Sequence, residues 1–319
     1  MSQRVLVLGG GGFVGRNVAR VLAGSGTGSV VVAGRRAPPV LPGMQALALD
    51  ATDPTALGTA LEHVDWVVNC VSGDGPTLRA SAHALARAAA RTPRQPGIVH
   101  LSSMAVYGPA EGVVNEGAPL AGAPGTYAAA KLDSERALAD LPRHVILRPG
   151  CIYGRGSPQW SLRIARLLRS GRIGAMGAAG EGRCNLVHVD DVASAVAAAI
   201  ATPAAEGNAF NLAMRDPPTW NAYFDLYARA LGIVPARVPG YRLGFEAALL
   251  APLLAAAREL ASWAGAGTSI RVAPPIPASL LRLWRQDIVL DPRKAESVLR
   301  LAWTPLERGL AASAGGSDI

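Results

Sequence analysis

The sequence predicts an α/β protein: a doubly wound parallel sheet with a smaller, mostly helical C-terminal lobe for the substrate. Three observations predict it. Short β-branched runs alternate with alanine-rich stretches through the first 150 residues, these runs are apolar almost throughout, and the first of them leads directly into four glycines and a helical pattern. Strands apolar at every position, not at every second one, belong to a sheet covered on both faces, which is what helical crossovers between parallel strands produce.

Taken in order, "RVLVLG" (4–9), "SVVVAG" (29–34), "MQALALD" (44–50), "VDWVVNC" (64–70), "GIVHLSS" (97–103) and "HVILRP" (144–149) are predicted strands. Helices are predicted to start near Gly12, Asp53, Pro76 and Tyr127. Beyond Pro149 the alternation loosens. "SLRIARLLRS" (161–170) is helical, "CNLVHV" (184–189) extended, "DDVASAVAAAI" (190–200) a helix with Asp190 or Asp191 available as N-cap, and "NAFNLA" (208–213) another strand. The expected domains are a dinucleotide-binding domain over 1–150, to which 186–212 returns, and a substrate lobe over 151–185 and 213–319.

Composition narrows the function. Of 319 residues 50% are apolar and 17% charged, and the net charge is +8, as in a packed globule with a solvated surface. No run of five basic residues occurs, so nucleic acid is not the expected partner; a phosphate-rich cofactor suits the charge as well. Cys70, Cys151 and Cys184 are far apart and outside metal spacing, which argues against a disulfide framework or a zinc site and for a reducing, cytoplasmic setting. The N-terminus lacks a charged leader pattern. The most apolar stretch, "AALLAPLLAAA" (247–257), is too short for a membrane span and reads as a core or dimer helix, or as the wall of an apolar substrate pocket.

Gly9, Gly12 and Gly15 lie at GxxGxxG spacing between the first strand and its helix. Bare backbone there admits a pyrophosphate to the helix N-terminus, where free N–H groups and the helix dipole favour an anion, and the last glycine lets helix pack on strand, as in Rossmann-like folds. Phe13 and Val14 complete the expected cofactor-binding turn. The second strand ends in Arg35 and Arg36 with no acid. An acid there would accept from a ribose 2′-OH, whereas arginine suits a 2′-phosphate, so NADP is expected over NAD. Asp50, ending the third strand, could accept from the adenine amino group; alternatively it caps a helix with Asp53.

Of 31 basic residues only Lys131 and Lys294 are lysines. Lys131 follows Tyr127 by four, on one helical face. A phenol with a pKa near ~10 needs a shift of up to ~3 units, roughly 4 kcal/mol, to act as a base at neutral pH. An ammonium ~5.5 Å away supplies on the order of 3 kcal/mol, and its three donors can also orient a ribose. The fifth strand delivers Ser102 and Ser103 to the carboxyl edge of the sheet, where a hydroxyl can hold a substrate oxygen.

Together, Gly9-x-x-Gly12-x-x-Gly15, "SSMAVYG", Tyr127-x-x-x-Lys131 with Glu135 following, "LRPGCIYG" and "VHVDDVASAV", in this order, resemble the extended short-chain dehydrogenase/reductase family of NAD(P)-dependent epimerases, dehydratases and reductases. The resemblance covers about residues 4–215 and returns at "VLDPRKAESVLRLAWTPLERGL". It implies Ser103, four before Tyr107, as the catalytic serine with Ser102 as fallback, Tyr127 and Lys131 as its partners, and a homodimer through helices near 76–92 and 126–140. Nucleotide-sugar enzymes of the family often place an arginine in an "RDFVYVDD"-like stretch; here the run is "CNLVHVDD", with Arg183 one place earlier. That, and an apolar, proline-rich lobe over 213–285, leave room for a smaller or more hydrophobic carbonyl substrate. The leading expectation is an NADP(H)-dependent oxidoreductase. The alternatives are a nucleotide-sugar epimerase or dehydratase with tightly bound NAD(P), and a non-catalytic NADP-sensing regulator.

Overall fold

The computed structural model describes residues 3–26, 28–245 and 276–315, so the apolar run 247–257 lies outside the described residues. The chain forms two compact units. The first comprises Met1–Ile152, Leu186–Arg215 and Leu290–Thr304, the second Tyr153–Asn185, Asp216–Val289 and Pro305–Ile319. Residues 290–304 thus cluster with the first unit, where the sequence placed them in the substrate lobe.

In chain order the elements are β1 (Gln3–Leu8), α1 (Phe13–Gly24), β2 (Gly28–Gly34), β3 (Met44–Ala48), α2 (Pro54–Leu61), β4 (Trp66–Asn69), α3 (Gly75–Arg91) and β5 (Gly97–Leu101). A 3-10 turn (Met104–Tyr107), β6 (Gly112–Val114), α4 (Tyr127–Ala139), β7 (His144–Pro149) and β8 (Cys151–Tyr153) follow. After them come α5 (Arg163–Arg169), β9 (Gly174–Ala175), β10 (Leu186–His188), α6 (Val189–Ala201), β11 (Asn208–Leu212), α7 (Trp220–Ala230) and β12 (Ala236–Arg237).

Seven strands make one parallel sheet in the order β11-β7-β5-β4-β1-β2-β3. The side chains explain why both faces are covered. Val5 and Val7 of β1 enter one apolar cluster with Val18 and Leu22 of α1 and Val192 and Val196 of α6. Leu6 and Leu8 enter the opposite cluster with Leu57 of α2, Leu85 of α3 and Leu138 of α4. Alternate residues therefore point into different helical layers, and the strand is apolar at every step. The six strands predicted within 1–150 all belong to this sheet, and "NAFNLA" supplies its seventh as β11.

The chain runs outward from β1 to β3 and then returns to lay β4 on the other side of β1. This reversal places a topological switch point at the carboxyl ends of β1 and β4, where doubly wound sheets bind ligands. Helix starts around it differ. Asp53 caps α2 by accepting from Thr55 N at 2.8 Å and Ala56 N at 3.2 Å, Asp74 caps α3 from Thr77 N at 2.9 Å, and Thr126 caps α4 from Ala129 N at 3.2 Å. Gly12 gives α1 no side-chain cap. α6 departs from expectation: it begins one residue earlier than the sequence suggested, His188 accepts from Asp190 N, and Asp190 and Asp191 lie in the first turn. Asp191 instead receives Thr304 N at 2.9 Å and Thr304 Oγ1 at 2.7 Å, and Asp190 pairs with Arg20 of α1 at 2.5 Å.

In the second unit β9 and β12 form a short parallel pair. The rings of Trp160, Trp220, Tyr223, Phe224 and Trp284 pack with successive centroids 5.5–6.3 Å apart. Among the described residues no helix is long and apolar enough to cross a membrane.

Asp53→Ala removes the acceptor for two N–H groups at the start of α2 and should lower the unfolding free energy by about 1 kcal/mol. Urea denaturation of the two proteins, with unchanged slope and a lower midpoint, is the expected result.

Candidate active site

The glycine turn is shaped by contact. Gly9 has φ +69°, and a Cβ on it would lie 2.7 Å from the Cys70 carbonyl oxygen, so β1 and β4 approach where only glycine fits. A Cβ on Gly15 would come within 2.4 Å of the Gly9 oxygen, which is why the third glycine is needed for α1 to start against the turn. Gly10, which the motif skips, is equally confined: its added carbon would meet Val32 Cγ1 at 2.2 Å. Gly12 N donates to the Gly9 oxygen at 3.0 Å and Gly12 then leads into α1, whose first turn holds no acid. Bare turn and uncapped helix end fit the pyrophosphate of a dinucleotide. Phe13 and Val14 are half-buried in the first turn, with the Arg16 guanidinium 5.8 Å from the Phe13 ring centre.

β2 stops at Gly34, and Arg35 and Arg36 follow it on the surface. Asp50 is also exposed; one carboxylate oxygen accepts from Thr52 N at 2.9 Å and Thr52 Oγ1 at 2.8 Å. The backbone bond first, then the hydroxyl bond, hold its carboxyl below the usual range. It therefore closes a turn, and the cap of α2 is Asp53 alone.

Three residues of α4, spaced four apart, meet the end of β5. Lys131 Nζ donates to the Leu101 carbonyl at 2.6 Å, Glu135 accepts from Ser102 Oγ, and Tyr127 faces Ser103. The structure thus separates the two serines. Ser102 is buried and committed to Glu135, whereas Ser103 caps the 3-10 turn through Ala105 N at 3.2 Å and faces the phenol. Tyr127 exposes half of its surface, yet burial around its phenol raises the pKa above its usual 10, and the Ser103 hydroxyl offsets part of that rise.

Here an expectation fails. Lys131 was expected to depress the phenol's pKa, but the phenol moves upward and the ammonium is not among the causes. Nζ lies 5.9 Å from the Tyr127 ring centre and donates to the Leu101 carbonyl. Lys131 is 4% exposed, and burial brings its pKa from 10.5 to about 8, with Cys70 and Glu135 acting in the opposite direction. Burial also pushes the Cys70 thiol up to about 12. His100, beside Asn69 of β4 in register, has no partner for either ring nitrogen, and burial, then the Lys131 charge, hold it well below 6.5.

Sequence reasoning missed how Glu135 is held. Arg148 of β7 grips its carboxylate through Nε at 3.1 Å and Nη2 at 2.7 Å, and donates from Nη1 to Tyr107 Oη at 3.1 Å and the Glu116 carbonyl at 3.2 Å. Tyr107 in turn donates to Asn211 Oδ1 at 2.6 Å. The available signal was an arginine inside the apolar run "HVILRP", which a strand buried on both faces tolerates only when it is paired. Arg183, in the second unit, donates to the Pro217 carbonyl at 3.4 Å and lies 3.7 Å from Asp287.

Residues 5–213 match the NAD dependent epimerase/dehydratase family. The chain belongs to that family. It is an NAD(P)-dependent oxidoreductase of the extended short-chain dehydrogenase/reductase type. A similar protein is 2′-dehydrokanamycin reductase of Streptomyces kanamyceticus, 31% identical over 257 residues, 75% of this chain and 70% of that one. Among solved structures, a human epimerase family protein with NADPH superposes with a TM-score of 0.72 at 20% identity, covering 98% of this chain and 99% of that one. UDP-glucuronic acid 4-epimerase from Bacillus cereus, in complex with UDP-glucuronic acid and NAD, gives 0.72 at 17% identity over 98% of both chains. At these identities the two structures establish the fold.

The buried lysine has a pH signature. Unfolded, Lys131 keeps its proton to about 10.5, and folded it releases it at about 8. Below about 8 the cost of burying the charge is fully present, and between the two values the unfolded chain binds more protons, so stability rises with pH. Relative to Lys131→Met, the wild type should gain up to about 3 kcal/mol across that window, read from denaturant midpoints at pH 7 and pH 10.5.

Proposed function

We propose that the protein is an NADP(H)-dependent reductase that converts a carbonyl of a small or apolar substrate to the alcohol. The observation that carries this reading is the placement of Tyr127, whose phenol faces the Ser103 hydroxyl at the carboxyl edge of the sheet with Lys131 one helical turn along. A protonated phenol in that place can donate to an alkoxide forming beside it, which is the reductive direction. When bound, the cofactor supplies hydride to the carbonyl carbon. Tyr127 Oη gives its proton to the carbonyl oxygen, so that one hydride and one proton make the alcohol. Ser103 Oγ donates a hydrogen bond to the same oxygen as charge gathers on it. Lys131, anchored at Leu101, keeps further donors for the cofactor's ribose.

The cofactor form is read from β2. Gly34 ends the strand without an acid, and exposed Arg35 and Arg36 follow, an arrangement for a 2′-phosphate. The phosphates would lie on Gly9, Gly12, Phe13, Val14 and Gly15, and Asp50 retains a carboxylate oxygen for the adenine amino group. The reductase relative from Streptomyces kanamyceticus supports the direction of reaction. The epimerase reading differs in one observable: it forms product without net consumption of NADPH. The regulator reading predicts NADP binding without turnover.

Tyr127→Phe should lower kcat by roughly 10²- to 10⁴-fold in NADPH-dependent carbonyl reduction, with the NADPH Kd within about twofold of wild type; undiminished turnover overturns the role. Arg35→Ala should raise the KM for NADPH by about tenfold and leave that for NADH nearly unchanged, since only the former carries the phosphate. Equal losses with both cofactors would remove the argument for NADP.

A further inference from the structure

The segment that carries Ser103 is fastened at both ends to one buried ion pair. At its start, Ser102 N donates to the Leu147 carbonyl at 2.7 Å, and Ser102 Oγ donates to Glu135. At its end, the Tyr107 hydroxyl accepts from Arg148 at 3.1 Å, and the Arg148 guanidinium stands 5.2 Å from the Tyr107 ring centre. Glu135 and Arg148 expose 6% of their side chains each. Their mutual geometry is bidentate, which fixes orientation as well as distance. The same carboxylate sits on α4, eight residues after Tyr127 and on the same helical face. One ion pair therefore joins the helix that carries the phenol to both ends of the turn that carries the serine.

The geometry points to Glu135 and Arg148 as positioning residues of the reaction, a clamp that sets where the Ser103 hydroxyl stands relative to Tyr127 Oη. Neither touches the reacting atoms. Glu135 acts through Ser102 at one end of the turn, and Arg148 through Tyr107 at the other. Asn211 extends the clamp to the sheet edge: its Oδ1 receives the Tyr107 hydroxyl, its Nδ2 donates to the Val114 carbonyl at 3.0 Å, and its backbone N–H donates to the Glu116 carboxylate at 2.8 Å. A purely structural ion pair would not need to bind both ends of a single six-residue segment, nor to do so from the helix that faces it. The inference rests on the reading of Tyr127 and Ser103 given above, and concerns what holds them.

The test uses the full-length protein with tyrosines labelled with ¹³C at Cζ, the carbon bearing the hydroxyl, and the Tyr127 resonance assigned by its loss in Tyr127→Phe. Ser102→Ala removes one strap and Tyr107→Phe the other, while the ion pair itself stays intact, so both variants are expected to fold. Each should shift the Tyr127 resonance and lower kcat by roughly 10- to 100-fold, with the NADPH Kd within about twofold of wild type. Glu135→Gln should do both more strongly. If neither Ser102→Ala nor Tyr107→Phe moves the resonance, the clamp is overturned. A loss of kcat that matches the unfolded fraction in a thermal melt, with the resonance of the folded fraction in place, overturns it as well. The two readings fail separately: full turnover in Tyr127→Phe removes the reductase role of the phenol, while the resonance, which needs no turnover, still decides the clamp.

Discussion

Glu135 and Arg148 face each other with 6% of each side chain exposed, and taking two such charges out of water costs several kcal/mol per ion before any attraction is counted. The cost is tolerable here because all three guanidinium nitrogens and both carboxylate oxygens are hydrogen-bonded. The carboxylate accepts from two guanidinium nitrogens and from Ser102, and the guanidinium also reaches Tyr107 and the Glu116 carbonyl. Burial works against the Arg148 charge, and the bonds and charge of Glu135 overcome it. Such a pair is weak evidence for stability and better evidence for orientation. It joins β5, β7, α4 and the turn after β5, the elements that converge on the proposed reaction site.

The site is built from groups that would be more comfortable elsewhere. Lys131 carries its ammonium in a nearly dry place, Tyr127 a desolvated phenol, and His100 two unpaired ring nitrogens. α1 begins without the side-chain cap that α2, α3 and α4 possess. Strain of this kind at one edge of a sheet, with the apolar clusters on both faces regular, is the distribution expected where local stability has been given up for binding. In the protein the ammonium is held by a main-chain carbonyl.

The family match ends at residue 213, and much of the second unit lies beyond it. A shared cofactor fold hosts many chemistries, with substrate choice placed on the parts that vary. The second unit has its own aromatic core around Trp220, separate from the two apolar clusters of the sheet.

The sequence by itself determined the sheet and the glycine turn, because both rest on local rules. A strand buried on both faces must be apolar at each step, as Val5 to Leu8 are, and a pyrophosphate turn must leave room, as Gly9 and Gly15 do. It also placed Tyr127 and Lys131 on one face, since four residues make one helical turn. It put Ser103 ahead of Ser102 only through the family resemblance, without showing what packs across from either hydroxyl, and it did not find the cap of α6, where His188 outcompetes two aspartates. Nor could it foresee the direction of the Tyr127 shift. Those outcomes were decided by tertiary structure, because desolvation and hydrogen-bond competition depend on groups brought together from 13 to 104 residues away, as Glu135 with Arg148 and Tyr107 with Asn211 are.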